Sequence, residues 1–127
     1  MSPSRTRRPP PARSPIPPRG SRVLVLQDDH SSPVLKWTSR AEQAGIAVET
    51  VRQPADGDWT GAVLESIGRP GGAPVSLASI SCVHWSDGCV VDLARVGAAL
   101  RKAGGKLLVD ATQAVGAMPV DVTAADP

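Results

Sequence analysis

Five residues of this chain are of types that could bind a polar small molecule or move a proton, and each follows closely on an apolar run. Asp110 ends Leu107-Leu108-Val109 and is followed three residues later by the amide of Gln113. His30 comes shortly after Val23-Leu24-Val25-Leu26, and His84 and Trp85 come shortly after Val75–Ile80. The apolar run before Asp110 is short and bounded by Gly104-Gly105, which reads as a buried strand. An acid buried at the end of such a strand costs several kcal/mol unless a cation or hydrogen-bond donors meet it. In open α/β sheets the carboxyl ends of the strands are where ligands bind. Asp110 therefore reads as an acid awaiting a cationic partner.

Each of these residues also has a structural reading. Asp110 can cap the turn at Ala111-Thr112-Gln113. His30 can be a surface loop residue, and His84 and Trp85 can be loop packing. A metal held by His30, His84 and Asp110 would need ligands at no recognised short spacing. Neither a Gly-x-Ser-x-Gly elbow nor a glycine-rich phosphate loop follows any strand.

The elements that must position these residues alternate regularly. Val23 to Leu26 reads as a buried strand. Pro33 can open a helix running to about Ala44, with Val34, Trp37, Ala41 and Ala44 at three- and four-residue steps and Gly45 to stop it. Ile46 to Val51 alternates as a strand with one more polar face. Asp58 can cap a helix of about Trp59 to Ile67, Arg69-Pro-Gly-Gly-Ala-Pro74 breaks the chain, and Val75 to Ile80 is the third strand. Asp92 caps a helix with Leu93, Val96, Ala99, Leu100 and Ala103 on one stripe, and Lys106 to Val109 is the fourth strand.

The order β-α-β-α-β-α-β predicts an α/β fold of three layers, α/β/α, around a mostly parallel sheet with right-handed crossovers. Every strand then points the same way. Gln27–Ser32, Ser81–Gly88 and Asp110–Gln113 share one edge, which suits a polar small-molecule site. After Val115 the pattern fades, and Met118 to Val122 could form one more short extended piece.

Composition narrows the classes. The 127 residues suffice for one small domain. There is no Phe or Tyr and there are three Trp, which argues against modules that stack nucleic-acid bases on aromatic rings. The net charge of +2 conceals an asymmetry: residues 1–22 hold six Arg and no acid, while the remainder carries eight basic against twelve acidic side chains. Residues 1–21 are expected to be a disordered Arg/Pro-rich tail, and residues 22–127 the folded domain. The prolines of the tail spoil the amphipathic helix of a mitochondrial address. Cys82 and Cys89, seven apart, fit neither a redox pair nor a zinc finger, and without a signal peptide they read as reduced thiols in the cytoplasm. No apolar run approaches the length that spans a bilayer.

Three segments carry a resemblance. Asp29-His-Ser-Ser-Pro-Val-Leu-Lys-Trp37, Val83-His-Trp-Ser-Asp-Gly88 followed by Asp92-Leu93, and Leu108-Val-Asp-Ala-Thr-Gln113 stand in the order and spacing of a known family. From about Arg22 onward the chain resembles the class V aminotransferases, pyridoxal-phosphate (PLP) enzymes that include cysteine desulfurases, selenocysteine lyases and isopenicillin-epimerase-like proteins. The resemblance implies a partial large domain of a fold-type I PLP enzyme and four cofactor-binding residues. Asp110 would pair with the pyridine nitrogen and keep it protonated, Gln113 would hydrogen-bond the phenolic oxygen, and His30 would stack on the ring. Trp85 stands where desulfurases carry an Asn facing the cofactor, a departure from the desulfurase pattern.

The same resemblance implies an amino-acid substrate and a homodimer. It places the Schiff-base lysine beyond Pro127, and none of Lys36, Lys102 and Lys106 is positioned to replace it. The phosphate-binding loop expected before the first strand is replaced by the Arg/Pro tail. The expectation is a middle slice of such an enzyme, inactive alone and marginally stable, with exposed apolar edges. The alternative is a non-enzymatic binding protein with an α/β scaffold and a basic N-terminal arm.

Overall fold

The hydrophobic spacing becomes secondary structure almost segment for segment in the computed structural model, which describes residues 17–112, 114–116 and 118–119. Four strands, β1 (Arg22–Leu26), β2 (Ala47–Val51), β3 (Val75–Ser81) and β4 (Lys106–Asp110), alternate with three helices, α1 (Ser31–Ala44), α2 (Trp59–Gly68) and α3 (Leu93–Ala103). The helix signals act as expected. Asp58 accepts from the Gly61 N–H and Asp92 from the Arg95 N–H, while Gly45 and Gly104 take left-handed conformations that return backbone N–H groups to the last carbonyls of α1 and α3. Helix α1 begins at Ser31, two residues before Pro33; the first turn makes no demand on the missing proline N–H.

All strand pairs are parallel, in the order β2-β1-β3-β4. That order explains the three layers. The chain moves one way from β1 to β2 and the opposite way from β2 to β3 and on to β4. Crossovers of one hand then put α1 on one face and α2 and α3 on the other. Leu24 and Leu26 of β1 pack with Trp59, Val63, Val96 and Leu100 on the two-helix face. Val23 and Val25 pack with Trp37, Ile46 and Leu77 on the α1 face. A register shift opposite Arg22 and Val23 moves Val75 onto the same face as Ala78 and Ile80. Val23 through Leu26 are almost wholly buried, each such side chain contributing about 1.5–3 kcal/mol.

The two faces differ in depth. The single-helix cluster is the smaller, and there the Trp37 indole N–H is buried without a hydrogen-bond partner among the described residues. Strand β4 differs from its expected burial. Among the described residues it is an edge strand with β3 on one side, and α1 covers its face only in part, so Leu108 is 37% exposed and Asp110 half-buried. At the other end of the sheet, Arg22 donates to Glu49 (2.6 Å), Ala73 O and Ser66 O, and Glu49 also accepts from Arg69. This cluster ties the α2–β3 connection to the start of β1. Pro17 and Ser21 are already buried, and Gly20 N–H donates to Gly45 O, so the packed part begins before Arg22. Among the described residues no helix is long and apolar enough to cross a membrane.

Candidate functional site

Strands β1 and β3 are neighbours whose following segments leave toward opposite faces of the sheet. That divergence opens a crevice at the carboxyl edge, the place where open α/β sheets bind ligands. Its walls are the β1–α1 segment, Gln27 to His30, and the β3–α3 segment, Cys82 to Val91. The β4 end lies beside β3.

The first two walls are joined at successive residues. Gln27 O accepts from His84 Nε2 (2.8 Å), Asp28 O accepts from Trp85 Nε1, and the Asp29 carboxylate accepts from Ser81 Oγ (2.6 Å) and Ser81 N–H (3.0 Å). Asp28 sits at φ 55°, a left-handed conformation that Asp tolerates better than most side chains. Gln27 also reaches the segment after β2, its side-chain oxygen accepting from the Gln53 N–H.

The β3–α3 segment folds back as a small hairpin through the Val83–Val90 bridge. Inside it the His84 ring stacks on Trp59, with centroids 4.7 Å apart and planes 8° from parallel. Ser86 N–H donates to His84 Nδ1, so that nitrogen is an acceptor and the proton sits on Nε2, donated to Gln27 O. Of the two readings of His84, packing is the one observed: the ring is 1% exposed and both nitrogens are engaged. A metal held by His30, His84 and Asp110 is accordingly not formed, and no metal-holding cluster of His, Cys, Asp and Glu occurs among the described residues.

Asp87, which is not among the candidate site residues of the sequence, is the anchor of this hairpin. It accepts from Cys89 N–H (2.8 Å), Trp59 Nε1 (2.9 Å) and Gln53 Nε2 (3.3 Å). The Cys89 N–H, and after it the Trp59 indole, hold its carboxyl below the usual range. Burial raises the Cys82 thiol instead, so this cysteine is not poised as a nucleophile.

The four residues assigned to cofactor binding fare differently. His30 is the N-cap of α1, makes no side-chain cap bond and is exposed. Trp85 is 58% exposed and tied at its indole N–H alone among the described residues; a large aromatic left in solvent at a crevice is more informative than a scattered surface Leu. Asp110 accepts from Thr112 N–H (3.0 Å) and Thr112 Oγ1, both on Oδ1. Its turn-capping reading is therefore realised, but Oδ2 has no partner among the described residues. Those Thr112 bonds, first the hydroxyl and then the N–H, hold Asp110 below the usual carboxylate range, with the His30 imidazole acting in the same direction. Gln113 lies outside the described residues.

Asp110 lines an open groove of about 240 Å³ with Pro33, Ser79, Leu108, Val109 and Ala111. The rim thus combines an ionised, half-buried carboxylate with an exposed imidazole and an exposed indole. This donor set fits the ring of a flat heteroaromatic ligand with a protonated nitrogen. It does not supply a covalent anchor. Lys36 lies over the Trp37 ring in α1, Lys102 is in the last turn of α3, and Lys106 opens β4 at the opposite edge.

Comparison with known proteins agrees with the α/β fold. The family described as "Aminotransferase class-V" matches residues 12–126. A probable cysteine desulfurase of Chlamydia muridarum is 29% identical over 107 residues, covering 84% of this chain and 26% of its own. Among solved structures, a cysteine desulfurase of Escherichia coli superposes with a TM-score of 0.71 at 24% identity, over 84% of this chain and 26% of that one. A mutant of the enzyme C-DES, with glycine covalently linked to its PLP cofactor, gives a TM-score of 0.67 at 24% identity, over 84% and 28%. The chain spans about a quarter of the length of the curated relatives it matches.

Proposed function

The chain belongs to the class V aminotransferase family, and we propose that its carboxyl rim is the ring-recognition part of a PLP site that serves amino-acid substrates. The observation that carries this reading is Asp110: a carboxylate held below its ordinary range at the end of β4, bonded to Thr112 through one oxygen and lining an open groove. An opposite charge is what such a group stabilises best, and a protonated pyridine nitrogen supplies one. Bound there, PLP provides an electron sink for bond cleavage at an amino acid's α-carbon.

The chain's own residues then divide the work. Asp110 keeps the ring nitrogen protonated, and Thr112 keeps Asp110 ionised and pointed. His30 stacks on the ring. Trp85 closes the crevice beside it and excludes water from that side. Gln113 takes the phenolic oxygen, as the family resemblance implies. With its lysines remote from the rim, we infer that this chain alone holds PLP reversibly and does not turn over amino acids, since covalent attachment needs a lysine amine at the site.

The test is a titration of the purified 127-residue chain with PLP, followed by visible absorbance and by quenching of tryptophan fluorescence. Saturable binding that is removed by gel filtration, and weakened more than tenfold in Asp110→Asn, is expected. Binding unchanged in that variant would sink the assignment, and an imine absorbance surviving gel filtration would overturn the claim about lysine.

A further inference from the structure

We propose that Asp29, clamped by Ser81, is a positioning residue that sets the direction in which His30 enters the crevice; this rests on the PLP reading of the rim. Three donors converge on one carboxylate: the His30 N–H on Oδ1 (2.7 Å), the Ser81 hydroxyl on the same oxygen, and the Ser81 N–H on Oδ2. Two of them come from the last residue of β3, a central strand buried along most of its length. Asp29 therefore fixes the backbone at His30 to the rigid middle of the sheet.

His30 needs such a fixture. Its ring makes no cap bond to α1, and its backbone is extended (φ −56°, ψ 152°), two residues after the left-handed Asp28. Nothing in the helix itself decides where the imidazole goes, so the decision falls to the peptide on its N-terminal side, whose N–H Asp29 holds. Of the three successive links between the crevice walls, those from Gln27 and Asp28 use backbone carbonyls. The Asp29 link uses a side chain on the β1 side, which makes it the one that substitution there can cut. A carboxylate accepts all three donors, whereas an amide has one acceptor oxygen and would set its own N–H₂ against one of them.

NMR of the histidine rings separates this role from a merely structural one, because the chain has two histidines and His30→Gln assigns their signals. In the wild type, PLP addition should shift the His30 ring protons through stacking. In Asp29→Asn and Ser81→Ala, thermal melts should stay cooperative and PLP should still bind through Asp110, while the His30 shift falls to less than half. Folded variants that keep the full shift would overturn the clamp. Should the wild type show neither absorbance change nor ring shift, the PLP reading itself fails, and hydrogen exchange of the His30 amide then decides the clamp in the free protein. Exchange about tenfold faster in both variants supports it; equal exchange refutes it. Ser81→Ala, a smaller change, keeps the test open if Asp29→Asn does not fold.

Discussion

On the β1–β3 side of the rim, Gln27 and Asp28 bond to the β3–α3 segment and Asp29 to the last residue of β3, and behind them Asp87 gathers N–H groups from Trp59, Gln53 and Cys89. On the β4 side, the Asp110 carboxylate accepts from its own turn at Thr112, and Leu108, which lines the same groove, stands exposed. The first half is organised in advance: its aromatic rings and loops are fixed by bonds between segments distant in sequence. The second half keeps its acid available. A carboxylate satisfied by long-range donors would be committed to holding the fold, whereas one satisfied locally on a single oxygen stays ionised and still has an oxygen to offer. The difference separates two similar-looking acids: Asp87 joins Trp59 and Gln53 to its own turn, whereas the Asp110 carboxylate is bonded only within its own turn among the described residues, as the binding role proposed for it requires.

The largest expected effect breaks the stitched half outright. Trp59→Ala removes the fully buried indole, the stacking partner of His84 and the donor to Asp87, and should cost about 3–5 kcal/mol. Urea unfolding followed by circular dichroism should lose most of its cooperative transition. Asp87→Ala strands the Trp59 and Cys89 N–H groups and should cost about 1–2 kcal/mol in the same assay. Asp110→Asn should stay within about 0.5 kcal/mol of the wild type while losing PLP affinity. Equal destabilisation by the two substitutions would erase the distinction between the halves.

Acid separates them further. Both carboxylates are depressed in the folded chain, so each contributes stability that is fully present above the unfolded value, about 3.9, and is lost as pH falls through its lower folded value. Because two of the donors to Asp87, Trp59 and Gln53, come from other segments, Asp87→Asn should flatten the acid limb of a stability-versus-pH curve more than Asp110→Asn does. The smallest effect concerns the uncovered edge. Leu108→Ser should change stability by about 1 kcal/mol or less and reduce self-association in sedimentation velocity; unchanged association would show that this edge is not the adhesive one.

Much of this was legible from spacing. The order of elements, both aspartate caps, the glycine stops and the gathering of His30, Trp85 and Asp110 at one rim follow from hydrophobic period and parallel pairing. Less legible were the residues that lock the rim. Asp87-Gly88 carried a turn signal but nothing that named Trp59 as its partner, and Asp29 beside His30 gave no hint of Ser81, 52 residues away. His84 and Trp85 are adjacent in sequence, yet one is buried and the other open, because the chain turns at Trp85, with Gly88 N–H donating back to His84 O and the tip of the turn left in solvent.

Asp110 shows where the division falls. The sequence by itself determined that an acid ends a parallel strand and that Thr112 follows at capping distance, since both are matters of local spacing and turn chemistry. That β4 is an edge strand among the described residues, that no Lys or Arg among them pairs with the acid, and that Asp110 lines an open groove were decided by the tertiary structure. Strand order and the cover given by helices from elsewhere in the chain are non-local quantities, and the residues around Asp110 do not encode them.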